Sequence, residues 1–216
     1  MTTVICPEKA RRLESLGDNC EIGFVFDEVG NTEGGFFRWA RSPTESVLNT
    51  LKVRFAHCFE FENLSPSWDD MVCDDQNQIY YHSEMISHLI DGQRVFLASE
   101  SERRAIYESE VQKRMAMVDK FYRRLRSGQL IFVIKNNDPV DPAVIDDIES
   151  ELVAMAEGAQ FQLLQMRVAS DGELPGSLIK ITDRRLEGTV AFFAQYHLSG
   201  DFDRESWLKV LGAALA

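Results

Sequence analysis

A chain of 216 residues, 44% hydrophobic and 27% charged, has the balance of a globular protein and enough length to bury a sizeable core, which excludes fibrous and disordered classes. Thirty-five acidic residues against 23 basic ones leave a net charge of -12, which repels a phosphate backbone, so nucleic acid is not expected as a partner. No apolar run approaches the roughly 20 residues that span a bilayer, so no membrane span is expected.

The opening stretch MTTVICPEKARRLE lacks the long apolar core of a signal peptide, which points to the cytoplasm. Four scattered cysteines, Cys6, Cys20, Cys58 and Cys73, form no C-x-x-C pair and are expected as free thiols in that reducing compartment. No repeat or long linker divides the chain, so residues 1–216 are expected to form a single domain.

In chain order, SLGDNCEIGFVFDEVG (Ser15 to Gly30) predicts a turn and then a helix that begins near Cys20. VGNTEGGFF predicts a loop, and RSPTESVLNTLKVRF a helix with Ser42 as cap and Pro43 in its first turn. FAHCFEF alternates as a half-buried strand would, NLSPSWDDMVCDDQNQ is polar and broken by Pro66 as a long loop would be, and IYYHSEM predicts a short strand delivering His82.

The segment from Ser101 to Ser127 predicts a long helix with a stripe of Ile106, Val111, Met115, Val118, Tyr122 and Leu125, stopped by Gly128. QLIFVIKNND predicts a strand covered on both faces, and the next helix carries a stripe of Val144, Ile148, Leu152 and Met155 before the strand FQLLQMRVA. This βαβ unit predicts parallel strands with a right-handed crossover. The tail adds strands in SLIKIT and TVAFFAQYH and a helix in DRESWLKVLGAAL. The expected fold class is α/β, a layered fold with a largely parallel central sheet flanked by helices.

Cys20 carries the candidate chemistry. A helix N-terminus favours thiolate through its unpaired N–H groups, which could also hold an oxyanion, and Asp18 or Asn19 can cap. Asp18 and Glu21 oppose ionisation, so a cationic partner is required. Among the histidines, His57 is expected as filler in a strand and His88 as a helix or loop residue. His197 ends a strand and is the runner-up. His82, at a strand end, is the first choice as base. Asp138 or Asn137 in KNND could orient its imidazole, and Asn136, Asp74 and Asp75 are further candidates for that role. No metal or nucleotide motif occurs, so no cofactor is implied. FFRWARSP places Arg38 beside Trp39, either as an anion clamp or as simple packing.

SLGDNC opening a helix, FFRWA about sixteen residues later, YYH on a mid-chain strand, the long helix leading to LIFVIKN, and GDFDRESW near the end together resemble a bacterial family of unknown function classed as papain-like cysteine peptidases. The resemblance spans roughly Leu13 to Trp207. It implies Cys20 as nucleophile, His82 as its partner, and an α+β papain-like fold as the alternative to the α/β layering. Where the family carries a Pro-Phe-Asp-Trp type element this chain has FFRW, so Arg38 stands in the acidic position.

Two functions compete. The first is a Cys-His hydrolase or peptidase acting on a peptide or small acyl substrate, with Cys20, His82 and Asp138 catalytic and Asn19, Arg38, Trp39 and Tyr81 in contact with substrate. The second is a noncatalytic module whose cleft, lined by Trp39, Tyr80, Tyr81 and Arg38, binds a ligand or partner in surface-polysaccharide biosynthesis. A homo-oligomer is compatible with either.

Overall fold

The computed structural model describes residues 5–216; the first four residues of MTTVICPEKARRLE lie outside the described residues. The elements run α1 (Pro7–Ala10), β1 (Leu13–Ser15), α2 (Glu21–Glu28), β2 (Ala40–Arg41), α3 (Thr44–Lys52), β3 (Leu64–Pro66), β4 (Met71–Asp74), β5 (Ile79–His82), β6 (Ser87–Ile90), β7 (Gln93–Phe96), α4 (Glu100–Ser127), β8 (Leu130–Lys135), α5 (Pro142–Met155), β9 (Phe161–Val168), β10 (Leu178–Lys180), β11 (Arg185–Val190) and α6 (Arg204–Ala214).

The protein is mixed α/β. A five-stranded sheet has the order β1-β8-β9-β11-β10, with the first four strands parallel and β10 antiparallel at the edge. Strand β8 is buried along its whole length because its side chains alternate between two apolar clusters. Leu130, Phe132 and Ile134 pack with Val47 and Leu51 of α3 and with Ile148 and Leu152 of α5. Ile131 and Val133 pack with Ile22 and Phe26 of α2 and with Trp207 and Leu211 of α6. Helices thus contribute to both clusters, and β8 and β9 are parallel, as the sequence expectation has it.

Of the antiparallel part, the sequence predicts β5 in IYYHSEM and β10 in SLIKIT, and the structure adds the strands around β5. A second sheet has the order β2-β5-β4-β3, and β6 pairs with β7. The polar stretch expected as a loop supplies β3 and β4, pinned by Leu64 opposite Asp74 and by Met71 opposite His82. FAHCFEF is a run of turns instead of a strand: Arg54, Phe55, His57 and Phe59 have φ between 56° and 61°. Its rings Phe55 and Phe59 are buried, and the Phe59 N–H is held by the Asp74 carboxylate at 2.8 Å.

Four further expectations shift. Helix α3 is capped by Pro43, and Ser42 lies before it. In α4 the fully buried positions are Glu110, Phe121 and Leu125, while Met115 is exposed. In α5, Ile145 takes the place expected for Val144. TVAFFAQYH leaves the sheet after Val190, because the Ala191 N–H goes to the Asp203 carboxylate (2.6 Å) and the Ala194 N–H to Glu21 (3.0 Å).

The carboxyl end of β8 carries a buried ion pair. Lys135 Nζ lies 3.0 Å from Glu21 Oε2, with both side chains fully buried. Glu21 also accepts from Trp207 Nε1 at 2.9 Å, and Lys135 also donates to Asn137 Oδ1. Burial pushes the Glu21 carboxyl upward and Lys135 pulls it back down. Lys135→Met strands that carboxylate and is expected to lower stability by about 3–5 kcal/mol in urea unfolding near neutral pH. In the variant, the Glu21 pKa in the folded protein exceeds its unfolded value. The penalty is therefore full above the folded pKa and shrinks as pH falls through it, so the deficit should be smaller at pH 5 than at pH 8.

Candidate active site

After β1 the chain turns at Gly17, whose φ of +96° and whose approach to Ser42 leave no room for a Cβ. The next residues are tied to two elements. The Asp18 carbonyl accepts the Ser42 N–H at 2.7 Å, and its carboxylate accepts the Asn137 N–H at 3.2 Å and the Tyr196 hydroxyl at 3.0 Å. Cys20 then occupies the cap position of α2, one residue earlier than expected. The capping oxygen comes from Asn19, whose Oδ1 accepts the Glu21 N–H at 2.9 Å. Asn19, expected at the substrate surface, is buried with its side chain turned to the backbone of the turn.

His82 is the last residue of β5 and extends toward this turn from the other sheet. Its Nε2 lies 3.7 Å from Cys20 Sγ, and its Nδ1 lies 3.0 Å from Asp70 Oδ2. Asp70 directly precedes β4, and because Met71 pairs with His82 the carboxylate sits diagonally across from the imidazole. The Ser83 N–H closes the arrangement onto the Asp70 carbonyl at 2.9 Å.

The third member is therefore Asp70 and not Asp138, whose carboxylate faces the Tyr196 hydroxyl at 3.4 Å. The four remaining polar residues near the two strands are engaged elsewhere: Asp74 with Phe59 and Asn77, Asp75 with Ser65, Asn136 with Thr44, and Asn137 with Lys135 and Ala194. His57 is an exposed turn residue paired with Glu60, His88 is an exposed strand residue on β6, and His197 lies in an exposed 3-10 turn. Asp70 escapes a reading of the sequence because the residues around it have the polarity of a loop. The apolar Met71-Val72-Cys73 run behind it, buried along its whole length, is the signal that could have found it.

Helix α4 pins the strand end that carries His82. Glu110 accepts the Ser83 hydroxyl and the Glu84 N–H, both at 2.8 Å, and Arg114 donates to the His82 carbonyl at 3.0 Å. Between α4 and the Gly35–Trp39 segment lies a groove of about 390 Å³ that reaches His82 and Asp70, with Phe36, Trp39 and Met117 among its apolar walls. Trp39 is one of the residues lining it. Its indole packs on Gly23 of α2, where a Cβ would come within 2.7 Å of the ring, and Phe24 meets it edge-on at 5.2 Å.

Arg38 and Tyr81 do not line this groove. Arg38 is 2% exposed, forms an ion pair with Asp27 at 2.6 Å, and donates to the Glu33 and Gly23 carbonyls, so it fastens the loop to α2. Tyr81 points to the opposite face of β5 and is buried against Phe36 and Phe59.

Burial raises the Cys20 thiol to about 11, and the charge of Asp70 adds to the rise. At neutral pH that value leaves the thiol protonated, with His82 Nε2 within reach of its proton. Asp70 opposes the thiolate through space and holds the imidazole in place through Nδ1.

Among the described residues no group of three or more His, Cys, Asp or Glu is placed to hold a metal ion, and no helix is long and apolar enough to cross a membrane. No family model, curated protein or solved structure matches the chain.

Site-resolved iodoacetamide labelling should show Cys20 modification at pH 7 falling by about tenfold or more in both His82→Ala and Asp70→Ala, and unchanged in Asp138→Ala. In His82→Ala the rate should climb with pH toward the thiol's value of about 11. Gly23→Ala should displace Trp39, read as a shifted tryptophan emission, while leaving His82 and Asp70 in place.

Proposed function

We propose that the protein is a cysteine acyl-transfer enzyme, a hydrolase or peptidase of papain-like chemistry on a layered α/β scaffold, with Cys20 as nucleophile, His82 as general base and acid, and Asp70 as the residue that orients and supports the imidazolium. The observation that carries this reading is the chain of contacts Cys20 Sγ to His82 Nε2 at 3.7 Å and His82 Nδ1 to Asp70 Oδ2 at 3.0 Å.

In the first step His82 Nε2 takes the thiol proton as sulfur attacks the carbonyl carbon of a peptide, ester or amide. The Glu21 N–H is occupied by Asn19, whereas the Cys20 N–H is directed at its own sulfur and is the backbone donor placed to meet an oxyanion formed there. His82 then protonates the leaving group, and water cleaves the thioester with His82 again as base.

The free state of Cys6, Cys20, Cys58 and Cys73 agrees with a cytoplasmic location. The resemblance to papain-like cysteine peptidases supports the same chemistry. The departure at Arg38 bears on the scaffold, since that side chain is committed to Asp27.

The high thiol pKa favours the competing reading, a binding module whose aromatic groove holds a ligand without covalent chemistry. A nitrophenyl ester separates the two. The enzyme reading expects a burst of nitrophenol and one acyl group on Cys20 by mass spectrometry, no adduct in Cys20→Ser, and acylation slowed by about 10²–10⁴ in His82→Ala. Equal nitrophenol release by the native protein and Cys20→Ser would leave the binding module.

A further inference from the structure

Arg41 has no role in the site described so far, and its setting is unlike that of the other arginine expected as a clamp. Arg38 is buried and paired, whereas Arg41 is half-buried, has the Tyr80 hydroxyl as a hydrogen-bond partner, and is paired with no carboxylate among the described residues. Its guanidinium is held by aromatic rings instead, 4.8 Å from the centroid of Tyr80, 5.0 Å from Tyr196 and 5.7 Å from Trp68. Stacking of this kind orients the plane and leaves the N–H edge free for an anion.

Register places this edge beside the reactive pair. Arg41 on β2 lies opposite Tyr80 on β5, and Tyr80 shares a face with His82 two residues on, about 7 Å along the strand. The Ser42 N–H, next in sequence, is bonded to the Asp18 carbonyl two residues before Cys20. Arg41 also lines a crevice of about 170 Å³ with Asp18, Thr44, Glu45, Asn136 and Asp138.

The crevice has a topological cause. The segment after β1 becomes α2 on one face of the parallel sheet, and the segment after β8 becomes α5 on the other, so a gap opens at the carboxyl ends of two adjacent strands. Three carboxylates face it. Asp18 is engaged by Asn137 and Tyr196, and Asp138 by Tyr196, while Glu45 is exposed. Their charge repels any anion, a phosphate dianion about twice as strongly as a carboxylate, so the singly charged, planar carboxylate is the anion best matched to this one guanidinium.

We propose that Arg41 is the specificity residue of this site and binds a substrate carboxylate about one amino-acid residue from the acyl carbon attacked by Cys20, so that the preferred substrates are acyl amino acids or peptides with a free or side-chain carboxylate at that position. This rests on the Cys20–His82–Asp70 reading.

The test uses bromoacetylglycine and its neutral counterpart bromoacetylglycinamide, whose reactive carbon and terminal group are separated by about one residue. Cys20 alkylation is followed by peptide mass spectrometry, with N-acetylcysteine as free-thiol reference. The native protein is expected to favour the acid over the amide by about tenfold relative to the free thiol. Arg41→Gln should return the ratio to that of the free thiol, Arg41→Lys should retain part of it, and added salt should reduce it. The α-amide of bromoacetyl-aspartate, whose carboxylate is on the side chain, distinguishes an acidic side chain from a chain terminus, and preference for either supports the proposal.

A native ratio equal to that of N-acetylcysteine overturns the inference regardless of how the variants fold, as does a raised ratio that Arg41→Gln leaves unchanged. If His82→Ala still slows labelling by the neutral reagent in that case, the Cys-His reading stands without the carboxylate site. If neither reagent labels Cys20, both fall.

Discussion

The carboxylate of Glu21 and the ammonium of Lys135 meet where no water can reach, directly behind the cysteine at the start of α2. Two buried charges are tolerated only when their remaining donors and acceptors are satisfied, and here Trp207, Ala194 and Asn137 do so. The consequence is geometric. Helices α2 and α6, the end of β8 and the segment after β11 converge on one polar point, and Cys20 is the residue next to it. An apolar core alone would allow α2 to slide along β8, since hydrophobic contact is not directional. The ion pair fixes where the helix starts.

The second half of the site comes from a different sheet. Strand β5 brings His82, β4 is preceded by Asp70, and α4 holds the chain just past His82 through Glu110 and Arg114. The Arg114 guanidinium lies 4.1 Å from the ring centroids of both Phe59 and Tyr81, so the same side chain that supports the His82 carbonyl is packed into the aromatic core beneath β5. The groove, the imidazole and the core are thus mechanically continuous.

What could be read from the residues followed the range of the signals. Cys20 and His82 were legible because turn residues and a strand end mark them locally, and β8-α5-β9 was legible because a continuous apolar run, a proline start and a 3.6-residue stripe need no distant partner. Strands β3 and β4 were not, since three and four residues in a polar stretch become strands only through cross-strand pairing. Missing them conceals Asp70, and KNND stands out in its place because it follows the strongest strand. Phe55 and Phe59 mislead in the opposite direction: the alternation is present, but left-handed turns carry it. Arg38 and Arg41, three residues apart, show the remaining limit, since only the tertiary partner Asp27 distinguishes a fastening side chain from one paired with no carboxylate.

The 62 residues that separate Cys20 from His82 make their meeting a product of tertiary structure alone. Burial and the charge of Asp70 raise the thiol to about 11, and Asp70 stands beside His82 at the edge of the antiparallel sheet. The strands that hold the imidazole against the sulfur are thus the strands that bring the charge opposing its ionisation. Neither influence on the cysteine can be moved without the other.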